Sequence, residues 1–174
     1  MNKTILSITL PVVLALGISS SANANGFYVA ANSLHAEYED DFDEAGYNVA
    51  VGKYIGEGKR VSLELGYTDY GDKTVNQNGI DAEFKASAIQ FSAVAYVPLS
   101  PRAGLYGRVG AERIKTKASS NTLRAKVEET NPFFGVGGYY NVTENIDVRV
   151  EYQRHEQSDE YFDSYNAGVT VETF

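Results

Sequence analysis

The sequence predicts an all-β fold, an eight-stranded antiparallel up-and-down β-barrel that crosses a membrane. Three observations support this prediction. Apolar and polar residues alternate along eight segments, the connections between these segments are alternately short and long, and an export signal precedes the first segment. The alternation is typical of strands, because successive side chains of a strand point to opposite faces.

The first 24 residues have the layout of a secretory signal peptide. Lys3 supplies a positive start, residues 5–18 form a short apolar run, and Ala22 and Ala24 supply the small side chains of a cleavage site. The apolar run is too short to span a bilayer. We therefore expect cleavage after Ala24, which leaves residues 25–174 as one barrel domain.

The strand pattern is clearest near the end of the chain. Ile146, Val148 and Val150 share one face, whereas Asp147 and Arg149 share the other. Only a period of two sorts these residues in this way. The predicted strands cover residues 27–35, 45–54, 60–69, 84–96, 103–116, 132–140, 146–154 and 162–174.

The predicted connections differ in length at the two ends of the barrel. Residues 55–59, 98–101 and 141–145 form three short turns. Residues 36–44, 70–82, 118–123 and 156–161 form four longer polar loops. Short turns at one end and long loops at the other are typical of bacterial outer-membrane barrels.

Charged residues indicate which face of each strand points inward. Six of them lie in the middle of predicted strands on the polar faces: Glu64, Arg108, Glu112, Asp147, Arg149 and Glu151. An Arg or Lys facing lipid at mid-depth costs about 2–4 kcal/mol, whereas charges inside a narrow barrel can pair with each other. The alternative, a soluble lipocalin-like barrel, would leave them on a hydrated exterior. The export signal and Phe174 at the end of the sequence favour the membrane barrel.

Four segments resemble strands of small OmpA/OmpX-like outer-membrane barrels: GFYVAA (26–31), SLELGYTDYG (62–71), GLYGRVG (104–110) and VRVEY (148–152). The resemblance implies a monomer in the outer membrane of a Gram-negative bacterium, inserted by the barrel-assembly machinery. It also implies a non-enzymatic role in envelope integrity and the display of surface loops for adhesion or defence, with a host or cell-surface ligand as a partner. The six interior charges resemble the salt-bridge plug of such barrels.

Phe174 resembles the aromatic assembly signal at the end of the last strand, with one departure. Phe174 lies an even number of residues from Thr170 and Glu172, so it shares their parity, that is, their face of the strand. Val169 and Val171 have the other parity. Either a bulge interrupts the strand near its end, or the signal is degenerate.

Basic residues cluster near the predicted extracellular end of strands 4 to 7, with outward parity. They are Lys85, Arg113, Lys115, Arg124, Lys126 and Arg154. Lys and Arg bind phosphates by charge-assisted hydrogen bonds, so this group is predicted to face the phosphates of lipopolysaccharide. The alternative is ordinary solubilising charge on projecting hairpins.

Composition and motifs exclude several other functions. Loss of Lys3 leaves 14 basic and 23 acidic side chains, a net charge of −9, which disfavours nucleic acid. The acidic segment 37–44 matches no defined calcium loop, so we expect a hydrated loop rather than a metal site. Barrels that resemble lipid A deacylases use a His-x-Ser arrangement. His155 is followed by a serine only at Ser158, three positions on, so the arrangement is absent. We therefore expect no catalytic residue, cofactor or metal; a narrow channel or small-solute binder is the alternative function.

Overall fold

Eight antiparallel strands form a closed barrel in sequence order. The computed structural model describes residues 26–38, 42–77, 80–120, 124–157 and 160–172, so the predicted signal peptide and Phe174 lie outside the described residues. The strands are β1 (Phe27–Tyr38), β2 (Phe42–Ile55), β3 (Val61–Gln77), β4 (Ile80–Pro98), β5 (Ala103–Ser120), β6 (Arg124–Asn141), β7 (Ile146–Gln157) and β8 (Glu160–Glu172). This arrangement confirms the predicted fold class. Among the described residues, no helix has the length and apolar character needed to cross a membrane.

The register of the strands determines how steeply they tilt. A walk through register partners once around the barrel begins at Lys115 and returns to the same strand at Leu105, ten residues away. The partners passed on the way are Ser87, Asp69, Tyr47, Ser33, Ala167, Val150 and Gly138. A stagger of this size in eight strands gives a tilt of about 40° and a rise of about 2.4 Å per residue along the barrel axis. Register therefore gives the relative height of every residue.

The predicted long loops are wrong, because strand pairing continues through most of these segments. β3 and β4 contain 17 and 19 residues and pair as far as Gln77 and Ile80. The same extension occurs at the other three hairpins of this end. Backbone hydrogen bonds favour pairing in these segments whatever the side chains are, so the strands continue where the sequence no longer alternates. A register shift between Asp69 and Asp72 accommodates Gly71 at φ 91°.

Strand length is uneven around the barrel. β3 to β6 contain 17–19 residues, whereas β1, β2, β7 and β8 contain 12–14. The half of the barrel made by β3 to β6 therefore projects farther from the end opposite the short turns. Following the usual orientation of such barrels, this is the extracellular end.

Large side chains fill the lumen because glycines on the neighbouring strands make room for them. A Cβ on Gly52 would lie 2.1 Å from the ring of Tyr28, and a Cβ on Gly137 would lie 2.5 Å from the ring of Tyr106. A larger residue at either position would force the tyrosine ring to move. The two tyrosines are 0% and 3% exposed.

The last strand is regular through its described length. β8 pairs with β1 and β7 without a register shift as far as Glu172 and Val171. Thr170 is buried in the lumen, so Val169 and Val171 lie on the outer face. A bulge is therefore absent from β8 between Glu160 and Glu172, and the parity conflict at Phe174 is not removed within the described part of the strand.

Candidate functional sites in the lumen and at the outer rim

The centre of the lumen holds a buried ion-pair cluster. Arg108 Nε donates to Glu151 Oε1 at 2.7 Å, and Arg108 Nη1 donates to Glu64. Arg149 Nη1 donates to the other oxygen of Glu64 at 3.2 Å. All four residues are at most 7% exposed. Two arginines and two glutamates balance in charge, which is the condition under which buried charges are tolerated.

Tyrosine hydroxyls complete this central cluster. Tyr28 donates to Glu64 Oε1 at 2.6 Å, and Tyr106 donates to Glu151 Oε2 at 3.0 Å. Arg108 Nη1 also lies 3.0 Å from Ser92 Oγ. Sequence reasoning missed these partners, although each has the same inward parity as the charges.

Glu112 belongs to a second cluster, above the first. Its Oε1 lies 2.7 Å from His155 Nδ1, and its Oε2 accepts from Tyr70 at 2.7 Å and from Gln90 at 3.0 Å. His155 Nε2 lies 3.0 Å from Ser164 Oγ. The prediction placed Glu112 with the other interior charges; the structure separates it because register puts it nearer the extracellular end.

An aromatic and apolar layer covers the second cluster. The imidazole of His155 stacks on Phe162, with ring centroids 4.3 Å apart, and on Phe133 at 5.5 Å. Around it lies a contiguous buried set: Leu34, Ala36, Tyr70, Ala88, Ile114 and Phe162. This layer closes the lumen towards the extracellular end in the described part of the chain.

Ser164, His155 and Glu112 have the spacing of a nucleophile, a base and an acid. Ser164 and His155 are 0% exposed, and Glu112 is 1% exposed. The three side chains are enclosed next to the stacked rings of His155 and Phe162, and their hydrogen bonds satisfy buried polar atoms.

Asp147 lies apart from both clusters. It faces the lumen at the end with the short turns and lines a cavity there with Arg149 and Thr170. None of the ion pairs among the described residues uses its carboxylate. The sequence pattern places Asp147 on the inward face, but it does not show how far Asp147 lies from the other charges.

The outer wall is apolar between two levels of aromatic residues. Val51, Leu65, Phe91, Val109, Val136 and Val150 are each more than half exposed on this wall. One aromatic level, called here the outer girdle, consists of Tyr47, Tyr67, Phe134, Tyr152 and Tyr165, which register places within about 5 Å of one height. Phe27 and Tyr140 lie about 15 Å below them. Aromatic girdles of this kind mark the two interfaces of a membrane barrel.

Three of the predicted basic residues meet around one carboxylate, and they are called here the cationic rim: Arg113, Lys115 and Lys126. Glu128 lies 2.5 Å from Arg113 Nη2, 2.6 Å from Lys126 Nζ and 3.5 Å from Lys115 Nζ. Arg113 lies about 6 Å above the outer girdle and Lys126 about 19 Å above it. Hydrogen bonds from Lys126 and Arg113 lower the pKa of Glu128 to about 2, so it stays ionised. The rim therefore carries an excess of positive charge.

The other predicted basic residues do not join this group. Arg154 makes a bidentate pair with Asp163 at 2.8 and 2.9 Å. Its register partner on β6 is Phe134, four positions from Thr130, which is the partner of Arg113. Lys85 is exposed and pairs in register with Lys117 of β5. The side chain of Arg124 and those of the acidic segment 37–44 lie outside the described residues. Among the described side chains, no group of three or more His, Cys, Asp or Glu could hold a metal ion.

A shallow groove joins the cationic rim to the apolar wall. Tyr67 and Ile89 form its lower part, and Arg113, Lys115 and Glu128 form its upper part. Its volume is about 340 Å³. The groove therefore offers apolar surface at membrane depth and positive charge directly above it.

Comparison with known proteins agrees with this geometry. The family model for the outer membrane protein beta-barrel domain matches residues 8–172. The fold is similar to that of neisserial surface protein A (20% identity, 85% of this chain and 97% of that chain, TM-score 0.68). It is also similar to the N-terminal barrel of Pseudomonas aeruginosa OprF (16%, 83% and 96%, 0.64) and to Yersinia pestis Ail in complex with the heparin analogue sucrose octasulfate (16%, 84% and 95%, 0.60). No curated protein matches the sequence.

Proposed function

Because this chain belongs to the outer membrane protein β-barrel family, we propose that it stabilises the bacterial envelope without catalysis, by binding lipopolysaccharide at its cationic rim. The barrel itself resides in the outer membrane. Its projecting hairpins display a surface for adhesion or defence. The observation that carries the proposal is the position of Arg113, Lys115 and Lys126 above the outer girdle.

The height of the cationic rim suits the outer leaflet. The phosphates of lipopolysaccharide lie at the surface of that leaflet, above its acyl chains. Arg113 and Lys126 have side chains 67% and 54% exposed, so both can reach an anion outside the barrel. Glu128 balances one of the three positive charges. Charge-assisted hydrogen bonds to phosphate are the interaction that this arrangement favours.

The groove beneath the rim suits the amphipathic character of this lipid. Tyr67 and Ile89 offer apolar contact to an acyl chain, and Arg113 and Lys115 lie above them to receive a phosphate. A purely solubilising cluster would need no apolar floor. The sulfated sugar bound to Ail is a second polyanion of interest, and it serves as a competitor in the test below.

Replacing Arg113, Lys115 and Lys126 together by alanine is expected to weaken lipopolysaccharide binding by about tenfold, since each exposed contact contributes up to about 1 kcal/mol. The measurement is the binding of purified lipopolysaccharide to the barrel in phosphatidylcholine nanodiscs, with and without sucrose octasulfate. Glu128→Gln should act in the opposite direction and strengthen binding, because it removes the competing carboxylate.

The matched control replaces Lys53, Lys59 and Arg102 by alanine. It removes the same charge at the end with the short turns, and binding should stay unchanged. Unchanged affinity in the rim variant, or equal loss in both variants, would overturn the proposed lipopolysaccharide site.

The non-enzymatic part of the proposal can be tested at Ser164. Ser164 is buried next to the stacked rings of His155 and Phe162, and its Oγ is hydrogen-bonded to His155 Nε2. A fluorophosphonate probe should therefore not label the folded barrel. The same probe on a known serine hydrolase in the same detergent provides the positive control. Labelling that disappears in Ser164→Ala would show an accessible nucleophile and contradict the non-enzymatic assignment.

A further inference from the structure

The end of the lumen near the short turns contains a cavity of about 140 Å³. Four tyrosines form much of its wall, Tyr54, Tyr96, Tyr106 and Tyr139, together with Asp147 and Arg149. A water molecule occupies about 30 Å³ of liquid, so the cavity has room for several waters or for one solute the size of a small amino acid. Short turns lie on the periplasmic side of such barrels, so the cavity faces the periplasm.

Arg149, which lines this cavity, has one unused donor that is itself buried. Its side chain is 5% exposed; Nη1 donates to Glu64 at 3.2 Å and Nε to Asn32 at 3.4 Å. Nη2 has no hydrogen-bond partner among the described residues. Leaving a buried donor without a partner has a free-energy cost, because the group has lost its hydration. An acceptor bound in the cavity would recover this cost.

Asp147 presents the complementary charge. It lies two residues from Arg149 on β7, lines the same cavity, and pairs in register with Thr170 of β8. No ion pair among the described residues involves its carboxylate. In the described part of the chain, the wall of the cavity has three other charged residues. Lys59 and Arg60 belong to the turn before β3, and Glu172 of β8 pairs with Lys59.

The charge balance of the wall indicates what kind of solute fits. The Glu64 carboxylate already balances part of the charge on Arg149, Lys59 and Glu172 balance each other, and the exposed Arg60 adds one positive charge to the wall. A simple anion would meet Asp147, and a simple cation would meet Arg149 and Arg60. We propose that the cavity binds a small zwitterion, such as an α-amino acid, whose carboxylate accepts from Arg149 Nη2 and whose ammonium group lies at Asp147. The tyrosine rings exclude bulk water from both contacts.

Titration with glycine tests this site, with acetate and methylamine as probes of one charge each. The readout is the shift of backbone amide signals of β7 and β8 in NMR spectra of the full barrel in nanodiscs. We expect saturable shifts with glycine and weaker binding of both single-charge probes. Asp147→Asn keeps the shape of the side chain and should weaken glycine binding about tenfold. The affinity for acetate should not fall in this variant.

The matched control is Asp72→Asn, an exposed aspartate at the opposite end of the barrel. It should leave glycine binding unchanged. The proposal is overturned if glycine gives no saturable shift, so that the cavity holds water only, or if Asp147→Asn binds glycine as tightly as the unmodified chain. Binding of acetate equal to that of glycine would likewise exclude a zwitterion site. None of these results depends on lipopolysaccharide binding at the cationic rim.

Discussion

Replacing Arg108 by methionine is expected to lower the free energy of unfolding by about 3–5 kcal/mol. Arg108 is the residue that joins Glu64 to Glu151 in the central cluster, and all three are buried. Removal of one partner of a buried ion pair leaves the opposite charge without compensation, which costs several kcal/mol. The measurement is reversible urea unfolding in lipid vesicles, followed by the gel mobility of the folded barrel.

A double substitution separates lost charge balance from lost packing. Glu151→Gln combined with Arg108→Met removes one charge of each sign, and it should recover part of the stability lost in Arg108→Met. Arg102→Met, in an exposed turn, provides the matched control and should change stability by less than about 0.5 kcal/mol. If Arg108→Met proved as mild as Arg102→Met, the central cluster would not stabilise the barrel.

The second large effect is expected on the outer wall. Leu65→Arg should destabilise the barrel in a bilayer by about 2–4 kcal/mol, because Leu65 is 59% exposed on the wall between the two aromatic levels. Leu99→Arg is the matched control, since Leu99 is 67% exposed in the turn between β4 and β5. It should cost at most about 1 kcal/mol, the value for an interfacial site. The measurement is the same unfolding titration.

A water-soluble barrel would give the opposite pattern. There, an arginine at position 65 would gain hydration and replace an exposed apolar side chain, so Leu65→Arg would be neutral or stabilising. Equal effects of Leu65→Arg and Leu99→Arg would therefore contradict a lipid-facing outer wall.

The fold was predictable because one physical constraint acts on every strand. A period of two assigns each residue to a face, and the cost of charge in lipid decides which face is inside. Glu64, Arg108, Arg149 and Glu151 lie inside for this reason. The extracellular extensions of β3 to β6 were not predictable in the same way. Backbone pairing continues there without the alternation that reveals a strand in the sequence, because a backbone hydrogen bond forms whatever the side chains are.

The grouping of residues into sites was less predictable than their faces. Parity carries no information about height, which depends on the stagger of the closed barrel. Glu112 was therefore grouped with charges that lie nearer the periplasm. Arg154 was grouped with basic residues on the other side of β6, because parity also does not show that its partner is Asp163 of β8. His155 was not expected to be catalytic because no serine stands two positions after it, whereas its stacking between Phe133 and Phe162 could be found only from the three-dimensional register.

The most direct test of an apolar face turned to lipid uses single tryptophans, because the natural sequence contains none. Leu65→Trp and Leu99→Trp each introduce one emitter, on the outer wall and in a short turn. In vesicles whose acyl chains carry bromine near the bilayer centre, fluorescence of Leu65→Trp should be strongly quenched and that of Leu99→Trp should be nearly unchanged. Unquenched fluorescence of a correctly folded Leu65→Trp barrel would contradict the inward charges and the outward apolar wall alike.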